Sequence, residues 1–154
     1  MATDRGRRPR LQLMHSTERL AELVRKKHQV LMQLREIGRR QTDLVACGDM
    51  PSLLNLLAAK QQFIAKLQSV EHELTPYYAE DPEQRVWSSP QDRADCAQRV
   101  NECNALLEEI VRLEKVGADQ IAARRNDVAE QLQQVHSAAQ VRGAYESNRI
   151  GRAS

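Results

Sequence analysis

Leu44-Val45-Ala46-Cys47-Gly48-Asp49-Met50-Pro51-Ser52-Leu53-Leu54-Asn55-Leu56-Leu57 is the stretch that decides the fold. Gly48 follows a periodic apolar run and supplies the left-handed residue expected just past a helix C-terminus. Asp49 can accept an amide of a following helix. Pro51 is tolerated in that first turn, because its missing N–H would have had no intrahelical partner. One helix therefore ends at Cys47, another starts at about Met50, and the two fold back on each other as an αα-hairpin.

Upstream, Leu20, Leu23, Val24, Val30, Leu31, Leu34, Ile37, Leu44 and Val45 line one helical face with a period near 3.5, and Lys27 and Gln41 fill the seam positions the pattern skips. Ser16, with Glu18 in the first turn, reads as the N-cap, so helix one spans about 16–47. Downstream, Leu53, Leu54, Leu57, Ile64, Leu67, Val70 and Leu74 form the matching face, with Lys60 and Glu71 in its seam. Pro76 disfavours helix in the residue before it, which places the end of helix two at Thr75.

Residues 75–89 hold Pro76, Pro82, the acidic Glu80, Asp81 and Glu83, and three of the five aromatics: Tyr77, Tyr78 and Trp87. So long a connection is ordered or functional rather than a tight turn, and the aromatics are expected to cap the bundle end. Ser89-Pro90-Gln91-Asp92 then starts helix three, with the serine side chain able to take the amide three residues on. Its seam reads Cys96, Val100, Cys103, Leu107, Ile110, Leu113, Gly117, Ile121, Val128, Leu132, Val135 and Ala139.

The expected architecture is all-α: an antiparallel three-helix bundle or coiled coil with an elongated third helix. Helices at about 16–47, 50–75 and 90–140 form one domain over 16–141, with a basic flexible tail at 1–15 and a flexible tail at 142–154. At 1.5 Å per residue the helices measure roughly 48, 38 and 75 Å. Helix three outlasts both partners, and an overhanging apolar stripe needs something to cover it.

Composition removes most other classes. Six glycines and five aromatics in 154 residues dominated by Ala, Leu, Gln, Glu, Arg and Val argue against a sheet. No signal peptide or membrane-length apolar run is visible, so a cytoplasmic protein is expected. The net charge is +2, but the first ten residues carry +3, leaving −1 for the remainder, which does not suit a nucleic-acid binder. Cys47, Cys96 and Cys103 read as reduced core residues. No phosphate loop, nucleophile elbow, His-Glu-x-x-His or Cys-x-x-Cys occurs, and His15, His28, His72 and His136 are scattered, so neither catalysis, metal nor cofactor is expected.

Thr42-Asp43-Leu44-Val45-Ala46-Cys47-Gly48-Asp49-Met50-Pro51-Ser52-Leu53-Leu54-Asn55-Leu56-Leu57-Ala58-Ala59-Lys60-Gln61 resembles the signature of the FlgN-type flagellar export chaperones, with Gly48, Asp49, Leu53, Leu57 and Lys60 matching the hairpin pattern. The resemblance covers roughly Leu20 to Tyr145. It implies a cytosolic chaperone that holds hook-filament junction proteins for the flagellar type III secretion apparatus, using the C-terminal half of its long final helix. The client stripe it implies maps onto Leu132, Val135, Ala139 and Tyr145, and the periodicity adds Ile121 and Val128 to the candidate partner-binding residues. The implied partners are a protein client and components of the export apparatus, with no nucleic acid and no membrane insertion, on a monomer or weak homodimer. The competing reading is a homodimeric coiled-coil scaffold or adaptor without an export role, in which helix three pairs with its own copy.

Overall fold

The computed structural model describes the backbone of residues 4–153 and the side chains of residues 9–145. It contains three α-helices, α1 (Asp4–Cys47), α2 (Met50–Tyr78) and α3 (Pro90–Ala153), with a 3₁₀ turn at Pro82–Gln84 and no strand among the described residues. Gly48 adopts φ +76°, a conformation L side chains rarely take, and its amide donates to the Leu44 carbonyl at 3.0 Å. Asp49 accepts the Ser52 amide at 3.2 Å and the Ser52 hydroxyl at 2.8 Å. Those two bonds, the hydroxyl's first, hold the Asp49 carboxyl below its ordinary range. At the start of α3, Ser89 Oγ accepts the Asp92 amide at 3.1 Å, as its spacing predicts.

α1 is the central helix. α2 runs antiparallel to it, bringing Arg19 to Glu73 and Gln41 to Lys60, and α3 runs parallel to it, bringing His28 to Glu102 and Arg39 to Glu109. No Cα of α2 comes within 8 Å of one in α3, so these two helices meet only through side chains. Gly38 of α1 makes room for Leu113 of α3: a Cβ there would lie 3.1 Å from the Leu113 side chain.

The core has two apolar clusters. Near the connection, Leu20, Leu23, Val24, Val70, Leu74 and Cys96 pack together under Tyr77 and Trp87, whereas Tyr78, expected to cap the bundle with them, is 61% exposed. Further along, Leu31, Leu34, Cys103 and Leu106 are joined by Phe63, Ile64, Leu67 and Ile110. The four polar seam residues of the hairpin pair with one another. Lys27 meets Glu71 at 2.5 Å, and Lys60 lies 3.2 Å from Gln41 while also bonding Glu114 of α3. A one-turn slip would leave these groups facing leucines, so the two layers fix the register.

Several elements differ from expectation. α1 starts at Asp4 rather than Ser16. Thr17 sits inside the helix with its hydroxyl 2.8 Å from the carbonyls of both Met14 and Val86, tying the connection to α1. α2 runs through Pro76 to Tyr78, its late Tyr77 carbonyl taking a 2.7 Å bond from the Arg85 guanidinium. α3 passes Gly117 unbroken and continues to Ala153. Leu54 is exposed and Leu56 is buried in its place, because Leu54 lies roughly 100° round the helix from Leu53. Val100 is likewise 40% exposed, while Leu106 is buried. Cys96 and Cys103 are buried free thiols, but Cys47 is exposed where α1 runs out of cover. The side chains of Arg5, Arg7 and Arg8 lie outside the described residues.

Two outcomes follow from this packing. Gly48→Ala forces a Cβ into the left-handed region and to within 3.2 Å of Arg124, and should cost about 1–2 kcal/mol in urea unfolding. Stability should also decline at alkaline pH. Burial raises the Cys96 and Cys103 thiols above 9.0, and burial with the Glu71 hydrogen bond raises Tyr78 above 10.0. Burial opposes the Lys27 cation, but the Glu71 bond and charge outweigh it and raise Lys27 above 10.5. The unfolded chain gives up each of these protons first. The associated stability is therefore complete below about pH 9 and lost as pH rises through the folded values. An unfolding free energy that stays flat across this range would contradict the assignment.

Candidate partner-binding site

α3 loses its partners partway along. α1 ends at Cys47, and the turn that follows sits against Arg124, whose guanidinium lies 3.2 Å from where a Gly48 Cβ would be. Every residue from Ile121 to Tyr145 is exposed. The helix past Arg124 extends on the order of 40 Å beyond the bundle. High-propensity residues and the absence of proline keep it helical without packing.

Five of the six residues expected to bind a partner share one face of this overhang. At 100° per residue, Ile121, Val128, Leu132, Val135 and Ala139 fall within an arc of roughly 60°. Their 7-4-3-4 spacing is that of coiled-coil seam positions. Exposure rises outward, from 49% at Ile121 and 53% at Val128 to 65% at Leu132 and 67% at Val135. Tyr145, 70% exposed, is turned roughly 120° away, so a partner on the stripe would not meet it face on. The stripe continues the face that α3 buries in the bundle through Cys96, Cys103 and Leu106, the two arcs overlapping at 100° per residue.

Other surfaces are less suited to a ligand. A cavity of about 620 Å³ lies beneath Tyr77, Tyr78 and Trp87. Its cations are already engaged, Lys27 with Glu71 and Arg85 with Glu80 and the Tyr77 carbonyl. Tyr78 donates to Glu71 at 2.9 Å, closing the same network. A shallower groove between α1 and α2, holding Val30, Met32 and Phe63, is partly covered by Lys66, whose ammonium lies 4.9 Å from the Phe63 ring centre. Among the described residues no three His, Cys, Asp or Glu side chains come together as a metal site, and no helix is long and apolar enough to cross a membrane.

A protein-family model described as "FlgN protein" matches residues 14–149. No curated protein and no solved structure gives a significant match.

The exposed stripe and the buried core should respond differently to substitution. Leu132→Glu with Val135→Glu should leave helicity and unfolding free energy within about 0.5 kcal/mol of the parent. Leu31→Ala, at a fully buried position, should cost about 2–5 kcal/mol. Unfolding of the double variant would show that Leu132 and Val135 are core.

Proposed function

The chain belongs to the FlgN family, and on that premise we propose that it is a cytosolic chaperone that binds hook-filament junction-type proteins and delivers them to the flagellar type III secretion apparatus. Family membership supports a flagellar export chaperone role in general, and the family is one of chaperones rather than enzymes. The client site in this reading is the stripe Ile121, Val128, Leu132, Val135 and Ala139. The observation that carries it is the exposed overhang: α3 presents a one-sided row of apolar side chains that no other element covers among the described residues.

The mechanism is coupled ordering. An amphipathic segment of an unfolded client lays its apolar positions along the stripe and pays its ordering cost on binding, which keeps the complex reversible. The client's own sticky surface is hidden in the same step. The bundle holds the stripe straight and away from other surfaces of the chaperone. A side-by-side homodimer would use up the same row, so the unliganded protein is a monomer in this reading.

Light scattering on a sizing column tests it, first on the protein alone and then with C-terminal helical segments of hook-filament junction proteins. A monomer that forms a one-to-one complex supports the chaperone. Leu132→Glu with Val135→Glu should then weaken that complex by about 30-fold or more. A dimer indifferent to the client would instead support the coiled-coil scaffold.

A further inference from the structure

The overhang's seam is interrupted by charge at two fixed places. Taking Ile121, Val128, Leu132, Val135 and Ala139 as seam positions, the same heptad puts Arg125 between Ile121 and Val128, and Arg142 directly after Ala139. Both arginines are exposed. They stand seventeen residues apart, about 26 Å along the helix, and bracket four consecutive apolar seam residues.

The bundle shows how this chain treats a seam cation. Lys27 of α1 is met by Glu71 of α2, and Lys60 of α2 by Gln41 of α1 and Glu114 of α3. In each case the facing helix supplies an acceptor. No other element runs beside α3 past Arg124 among the described residues, so the facing groups for Arg125 and Arg142 have to come from another chain.

Resting on the chaperone reading of the stripe, we propose that its partner is an amphipathic helix carrying two carboxylates about seventeen residues apart, one facing Arg125 and one facing Arg142, on either side of an apolar seam. The pair of arginines acts as a ruler that selects register and rejects partners with cations at those places. A second copy of α3 in parallel register would set Arg125 against Arg125 and Arg142 against Arg142, which disfavours that self-pairing. A lipid surface fits less well. The apolar arc is narrow, it contains no aromatic side chain, and Asp127 and Glu130 occupy the opposite side of the helix.

The probes are two synthetic amphipathic helical peptides with the same leucine-alanine seam, one carrying glutamates and one lysines at two seam positions seventeen residues apart, titrated into the full-length protein. The glutamate peptide should bind at least about tenfold more tightly at low salt, with the preference shrinking at high salt. Arg125→Glu with Arg142→Glu should reverse the preference, while Arg93→Glu at the far end of the bundle should leave it unchanged. Equal binding of the two peptides, or no binding of the glutamate peptide, overturns the ruler. So does capture of the protein by anionic lipid vesicles through the same arginines, or self-association through the stripe. If the peptides bind equally but Leu132→Glu with Val135→Glu abolishes both, the stripe stands as the client site and only the charge rule fails.

Discussion

The left-handed residue Gly48 ends α1 opposite Arg124 of α3, and the uncovered length of α3 follows from that one stop. Leu44 and Asp49 close the turn through backbone and side-chain bonds, so the hairpin has no spare residue with which to extend. α3 carries no proline after Pro90 in its first turn and continues as helix well past the point where its neighbour has turned back. The bundle is therefore a holder, and in the proposed reading the client surface is the part of α3 it does not cover.

Register is what makes such a holder reproducible. Leucine seams alone tolerate sliding by a turn, because one leucine packs much like another. The Lys27–Glu71 and Gln41–Lys60–Glu114 layers remove that freedom, since a slipped hairpin would bury charges without partners. Thr17 and Arg85 then tie the connection down, the first through the Val86 carbonyl and the second through the Tyr77 carbonyl. These bonds secure the end of the bundle opposite the one from which the stripe projects.

Much of this was legible from residues alone, for identifiable reasons. Gly48-Asp49 and Ser89-Pro90 are local devices whose chemistry does not depend on the rest of the fold, and both behave as their spacing predicts. The α1 seam reads cleanly because its apolar residues are well separated. In α2, Leu53, Leu54, Leu56 and Leu57 offer nearly every face, and only the position of α1 chooses among them, which is why Leu54 and Leu56 exchange places. Helix ends at Ser16 and Thr75 were misplaced because a capping residue or a proline marks where a helix can stop, not where it must. Gly38 gave no sign of its role, since a close approach between helices has no signature in one strand of sequence. The stripe was visible as a periodicity, but its exposure depends on the lengths of three helices together. Tyr145 shows the limit of counting residues without following the angle.

Amide hydrogen exchange, measured on the full-length protein alone and bound to the C-terminal segment of a hook-filament junction protein, addresses the central claim most directly. The account predicts slow exchange in the packed stretches of α1 and α2, fast exchange from Ile121 to Tyr145 in the free protein, and marked slowing there, centred on Leu132 and Val135, once the client is bound. Protection of that stretch before any client is added, or client-induced protection confined to α1 and α2, would contradict it.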